Sequence, residues 1–389
     1  MPKVSLDRIF KSDRLCVKSL EVPGGQDRSR IPAIDRSYVF PLPFLNQVLL
    51  YLACPLHDCL YVSGPSGCGK TTMALQVAAR LGWGVEQLTL CGKSESADLI
   101  GHAALRHGEL VYEYGPLVRA MLQGEILILN EIDLMPPSDL AALNDVLEGK
   151  PLVIAQNCGE LVTPALGFRV IATANTRGLG DTMGFYSGAR VLNQAFLDRF
   201  RFVEISYPDA RTESAIVATA CPGLDQELAQ NLVRLAGELR HAGSDHDGTA
   251  LSAPFSTRVL LRIASLKHAC PHLPVHRAIE TGYSLRLPDI EREYVARLCA
   301  DIFGNDGTDG FVAMGKSAPR HGAQEGEGQD EDPDAEAEAA AEASGPADSP
   351  ADSAQDQGDG EGQAESAVSV GNGAGQGGAG DGDGGGEAT

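Results

Sequence analysis

Gly64-Pro65-Ser66-Gly67-Cys68-Gly69-Lys70-Thr71 fits the pattern G-x-x-x-x-G-K-[ST]. It follows the apolar run Leu60-Tyr61-Val62-Ser63 and opens a helix-like stretch from Thr72 to Leu81. That strand–loop–helix context turns a pattern into a phosphate site. Glycines let backbone N–H groups curl around phosphate oxygens, and a helix N-terminus adds partial positive charge. Lys70 is expected to reach the β- and γ-phosphates, Thr71 to hold Mg²⁺, and Thr72 to close the loop, with ATP as ligand.

Working outward, short apolar runs alternate with helical patterns. Val85–Leu90, 125–129, 168–173 and 202–205 read as buried strands, and Phe44 to Ala53 as a helix leading into the first. Such runs between helices indicate an α/β fold, a parallel sheet with helices on both faces. Hairpins are expected around His107-Gly108-Glu109-Leu110 and from Gly149 to Val162, turning near Asn157-Cys158-Gly159. After Pro208 the periodicity becomes helical: Arg211–Ala220, Gln226–His241, Ser256–His268 and Ile290–Ile302, with a polar loop over 243–249. The expected domains are an extended N-terminal arm (1–36), an α/β nucleotide-binding domain (37–207), an all-helical lid (208–313) and a tail (314–389).

Charge separates that tail from the rest. The 389 residues hold 53 acids and 31 Lys or Arg; 18 of the acids and none of the bases lie between His321 and Thr389, leaving 35 against 31 elsewhere. The segment lacks Phe, Trp, Tyr, Leu, Ile and Met, too little apolar surface to offset the entropy of ordering, so disorder is expected. A nearly balanced body without a basic stripe speaks against a nucleic-acid partner. No run approaches the ~18–20 apolar residues that span a bilayer. Nine scattered cysteines, odd in number and without a C-x-x-C pair, point to reduced thiols and a cytoplasmic location.

Further motifs follow the loop in order. Ile126-Leu127-Ile128-Leu129 ends in Asn130-Glu131, where P-loop ATPases carry an acidic metal-orienting residue and a water-polarising Glu. Asn130 is thus a neutral candidate at Mg²⁺, Glu131 the candidate that activates water, and Asp133 a possible source of the missing charge. Asn175, at the tip of Val170–Ala174, is placed to meet the γ-phosphate or the attacking water. Arg199, after Leu197-Asp198, is a candidate arginine finger for a neighbour's site, with Arg201 as competitor. Arg258, in Phe255-Ser256-Thr257-Arg258, would sit over the phosphates. His268, Cys270, His272 and His276 could bind a soft metal, but a surface turn explains them as well, since their spacings match no common zinc site.

The stretch Ala172-Thr173-Ala174-Asn175-Thr176-Arg177-Gly178-Leu179-Gly180-Asp181-Thr182-Met183-Gly184-Phe185-Tyr186-Ser187-Gly188 is specific. With Leu192-Asn193-Gln194-Ala195-Phe196-Leu197-Asp198-Arg199-Phe200, Asp98-Leu99-Ile100-Gly101 and Gly115-Pro116-Leu117, it resembles the MoxR branch of the AAA+ ATPases, notably the CobS-type ATPase subunits of cobaltochelatase. The resemblance spans about residues 37–265. It implies a homo-oligomeric, hexameric ring with ATP at subunit interfaces, and a partner carrying a von Willebrand factor A domain. In cobaltochelatase such a subunit drives Co²⁺ insertion into a corrin ring. Asn130 departs from the pattern, which leaves room for an ATP-binding scaffold with weak hydrolysis.

Overall fold

The computed structural model describes residues 2–25, 27–181, 184–242 and 251–304. The segment expected to be a disordered tail and the polar loop over 243–249 lie outside the described residues.

Five strands build one parallel sheet: β1 (Cys59–Ser63), β2 (Val85–Thr89), β3 (Ile126–Asn130), β4 (Arg169–Ala174) and β5 (Phe200–Glu204), in the order β5-β1-β4-β3-β2. β1 and β3 are buried at every position, as parallel strands covered on both faces must be. Side chains alternate between the faces. Leu127 and Leu129 pack on one side with Leu117, Val118 and Met121 of α3 (Pro116–Gln123). Ile126 and Ile128 pack on the other with α1 (Leu42–Ala53) and α2 (Lys70–Leu81). Each fully buried aliphatic side chain contributes roughly 1.5–3 kcal/mol. α2 stops at Gly82, whose left-handed φ of 68° lets its N–H close back on Ala78 and Ala79.

Tyr51 ties α1 to the sheet. Its fully buried hydroxyl donates to Val170 O at 2.8 Å and accepts from Val170 N at 3.2 Å. The β1–β4 register begins one residue later, at Leu60 and Ile171. The phenol therefore supplies partners to Val170 just before β4 begins to pair with β1.

The N-terminal segment departs from the expected extended arm. Lys3–Ser5 and Ser19–Glu21 form an antiparallel pair flanking a short helix, Leu6–Phe10. Leu6, Leu15, Leu20 and Val22 are buried in the core beside α1 and α2. Burying four apolar side chains offsets the ordering entropy that an extended arm would avoid.

Both expected hairpins form, Gly101–Arg106 with Glu109–Tyr114 and Leu152–Ile154 with Glu160–Val162. Tyr114 joins them by donating its hydroxyl to Glu160 at 2.7 Å.

The helical region comprises α4 (Ala210–Ala220), α5 (Gln226–Ala242), α6 (Thr257–Ala269), α7 (Val275–Gly282) and α8 (Asp289–Phe303), with a separate core around Leu235, Leu260, Ile263, Ile279 and Val295. α7 is a helix that the periodicity reading did not anticipate.

Candidate functional site

The inner strands β1, β4 and β3 bring their C-terminal ends together at one end of the parallel sheet. After Ser63 the chain turns through Gly67 (φ 74°) and Gly69 (φ 98°) into α2, whose first turn has no side-chain cap. Those N–H groups are thus left for a ligand. Lys70 turns back into the loop, and its Nζ donates to Gly64 O (2.7 Å), Pro65 O (3.1 Å) and Asn175 Oδ1 (2.9 Å). Burial pushes the Lys70 ammonium below the ordinary lysine value, while Cys68 and the Glu131 and Asp133 carboxylates pull it back up.

At the end of β3, buried Asn130 accepts on Oδ1 from Thr71 Oγ1 (2.6 Å) and Thr173 Oγ1 (3.2 Å). Glu131 follows with φ 55°, a conformation unusual outside glycine that stores local strain and swings the side chain toward β4. There Glu131 Oε2 accepts from Asn175 Nδ2 at 2.6 Å. Burial pushes the Glu131 carboxyl above the ordinary glutamate value, with Lys70 opposing. Asn175 is therefore the bridge, accepting from Lys70 and donating to Glu131. Thr71 and Asn130 present neutral oxygens, a hard donor set suited to Mg²⁺ beside triphosphate, with Glu131 the adjacent anion.

Asp133 does not join this cluster by hydrogen bonding. Its Oδ2 accepts from Thr176 N (3.0 Å) and Thr176 Oγ1 (2.8 Å), pinning the turn after β4, and Oδ1 is buried without a hydrogen-bond partner. Its charge acts on Lys70 and Glu131 only through space.

Arg258, in the first turn of α6, approaches from the helical region. Gly67 abuts the residue capping that turn: a Cβ there would lie 2.8 Å from Ser256 Cβ and 3.3 Å from Arg258 Cβ. A cleft of about 320 Å³ opens between them, lined by Tyr38, Gly67, Gly69, Thr72, Thr257 and Arg258 among others. Two tyrosines that the motif reading did not single out grip the loop at Ser66. Tyr186 Oη accepts from Ser66 N (3.2 Å), and Tyr207 Oη donates to Ser66 O (3.0 Å). Tyr186 lies in the quoted Gly184–Gly188 stretch, so a signal was present; Tyr207 and Tyr38 carry none.

Arg199 stands apart. Its backbone carbonyl accepts from Cys59 N, at the start of β1, whereas the phosphate loop follows the end of that strand. Its guanidinium pairs with Glu148 at 2.7 Å and bonds Ala195 O. Arg201 is committed elsewhere, to Asp58 at 2.9 Å, Cys54 O and the face of Tyr51.

Among the described residues, no three His, Cys, Asp or Glu side chains gather as a metal site. The segment from Lys267 to His276 is a helix–turn–helix connection, held by Lys267 Nζ on Pro271 O (2.9 Å) and Leu273 O.

A phosphate loop, a polar β3 terminus and a bridging Asn at the C-terminal end of a five-stranded parallel sheet, followed by a helical region, define a P-loop ATPase of the AAA+ class. Comparison with known proteins agrees. Residues 60–200 match the model described as AAA domain (dynein-related subfamily), and residues 213–288 match CbbQ/NirQ/NorQ C-terminal. Protein NorQ of Paracoccus denitrificans is 31% identical over 268 residues, 68% of this chain and 94% of NorQ. The aerobic cobaltochelatase subunit CobS of a Sinorhizobium species is 30% identical over 312 residues, 77% of this chain and 90% of CobS. The chain belongs to the MoxR-type AAA+ ATPases, with NorQ and CobS as relatives, and it binds and hydrolyses ATP.

Proposed function

We propose that this ATPase works as a homo-oligomeric ring, six copies closing around an axis, and uses ATP hydrolysis to remodel a partner that carries a von Willebrand factor A domain. Residues 37–207 act as the nucleotide-binding domain and 208–313 as its lid. Gly64 to Thr72 cradle the phosphates, with Lys70 on the β- and γ-oxygens. Thr71 and Asn130 would hold Mg²⁺, which supplies positive charge at the phosphates. Glu131 polarises the attacking water, Asn175 aligns it, and Arg258 reads the terminal phosphate. Arg199 serves the neighbour's site. The observation that carries the reading is the connected cluster Lys70–Asn175–Glu131, with a base and a cation fixed by one amide at the loop's mouth. Nine cysteines without a disulfide support a reducing, cytoplasmic setting.

Steady-state ATPase assays test this. Wild type turns over, and Glu131→Gln binds ATP without turnover. Proteins that co-purify with Glu131→Gln identify the client. Only slow turnover in wild type would favour an ATP-binding scaffold with weak hydrolysis, a reading that neutral Asn130 supports. The CobS likeness supports a second reading, a subunit driving Co²⁺ insertion into a corrin. Co-expression with a large chelatase subunit and a Co²⁺-dependent ATPase rate would favour it.

A further inference from the structure

A partly buried polar chain runs from the phosphate loop to the root of Arg258. It begins at Ser66 O, held by Tyr207 Oη at 3.0 Å. The Arg240 guanidinium lies 4.2 Å from the centre of the Tyr207 ring. Arg240 grips Glu213 with two bonds of 2.8 Å, and its Nε donates to Phe255 O at 2.8 Å. Glu213 Oε1 also accepts from Thr257 Oγ1 at 2.6 Å. Phe255 and Thr257 flank Ser256, the N-cap of α6, and Arg258 follows in its first turn.

Glu213 on α4, Arg240 on α5 and Thr257 on α6 thus meet at one carboxylate whose side chain is 2% exposed. A buried ion pair gains little net stability over apolar packing, because desolvating two charges offsets their attraction. What this pair supplies is geometry. A planar fork with all its near acceptors fixed leaves one orientation for the backbone on both sides of Ser256. Gly67, pressed against Ser256, gives the loop and the helix a second contact at the same point.

We infer that Tyr207, Arg240 and Glu213 are positioning residues for Arg258, coupling its aim to the backbone of the phosphate loop. The inference rests on the proposed role of Arg258 at the terminal phosphate. A relay of this kind makes the discrimination between ATP and ADP depend on Tyr207, which need not touch nucleotide.

The test is Tyr207→Phe, which keeps the ring under Arg240 and removes only the hydroxyl. It is measured alongside Arg258→Ala and the double variant, with kcat, the Kd for ADP and for ATPγS, and the unfolding temperature. Tyr207→Phe is expected to lower kcat and weaken ATPγS by about 3- to 10-fold, the worth of one neutral hydrogen bond. ADP affinity stays unchanged while ATPγS weakens, a selective loss that a merely structural role does not predict; the unfolding temperature falls only by the little that one part-buried hydrogen bond contributes. The double variant is expected to be no worse than Arg258→Ala alone, since the hydroxyl acts through that arginine. Arg240→Lys, which keeps the charge but loses the fork, should reproduce the ATPγS defect. Multiplying defects in the double variant, or an unaffected Tyr207→Phe, overturns the relay while leaving Arg258 in place. An Arg258→Ala protein with normal kcat and normal ATP preference overturns the Arg258 reading itself, and the relay with it.

Discussion

Replacing Asn130 with Asp changes one amide to a carboxylate of nearly equal volume, so the effect is almost purely electrostatic. Asn130 is 5% exposed, and its Oδ1 accepts from Thr71 at 2.6 Å and Thr173 at 3.2 Å. Charging that oxygen strengthens each bond by about 1–1.5 kcal/mol, or roughly 2–3 kcal/mol together. Burying the charge costs several kcal/mol, and the Glu131 carboxylate next in sequence adds repulsion. The cation of the cluster, Lys70, is already shared with Asn175 and two carbonyls. The nucleotide-free Asn130→Asp protein should therefore lose about 2 kcal/mol, roughly 4–8 °C in unfolding temperature. Mg²⁺ with ATPγS should offset that loss, so the Mg²⁺-dependent part of the ligand-induced shift grows. Thermal unfolding of both proteins, with EDTA and with Mg²⁺·ATPγS, measures the difference of differences. Equal nucleotide-free stability and an unchanged Mg²⁺-dependent shift would refute the assignment of Asn130 to the metal side of the site.

Glu131→Gln should reduce turnover at least ~100-fold, the lower end for loss of a general base. Its stability effect has a definite sign: burial raises the folded-state carboxyl, so the folded protein holds that proton more tightly than the unfolded chain. Stability is then lost as pH rises from the ordinary glutamate value through the folded one; urea unfolding should find Glu131→Gln no less stable than wild type at pH 8, with its advantage shrinking toward pH 4. Tyr51→Phe leaves the N–H and carbonyl of Val170 without the partner they now share, and should cost about 2 kcal/mol in urea unfolding while sparing the ATP affinity of the folded protein. Arg199→Ala should cut turnover by about 10³-fold with ATP binding intact; mixing it with inactive Lys70→Ala should restore part of the rate, because each supplies what the other lacks, and activity in Arg199→Ala alone would disprove the finger.

The sheet was legible because β1 and β3 are buried on both faces, so their apolar runs could only be central strands; observed ends differ by a residue or two. Asn130, Glu131 and Asn175 were legible for the same reason, as polar residues ending such runs. The N-terminal fold was not. Leu6, Leu15, Leu20 and Val22 are too widely and irregularly spaced to show a period, and only α1 and α2 give them a surface to cover. α7 was obscured by its histidine: His276 suggested a ligand, while Ala278 and Ile279 face the core of the helical region as an ordinary helix stripe. The orientation of Asp133 depends on the positive φ of Glu131, which no residue pattern announces. Tyr207 meets Ser66 across 141 positions of sequence, a contact that exists only once the fold has closed.

Lys70, Asn175 and Glu131 are partners of one another, and this constrains how ATP could act on the cluster. Lys70 is held by two loop carbonyls and Asn175, and Asn175 in turn holds Glu131. A phosphate that draws the Lys70 ammonium toward itself competes with Asn175 Oδ1 for one of its three donors. Asn175 then loses an anchor on one side while its bond to Glu131 persists on the other. On the proposed roles, Glu131 would then be held by an amide with one anchor fewer when the terminal phosphate is seated. ADP lacks the γ-phosphate and leaves that competition weaker. On the roles proposed for Lys70 and Glu131, the bridge would make the setting of the base sensitive to the reacting phosphate through one amide. The strained backbone of Glu131 has the same logic, since a residue held at φ 55° is aimed by its neighbours and not by its own preference. On this view a neutral Asn130 spares the cluster a third carboxylate beside Glu131 and the buried Asp133.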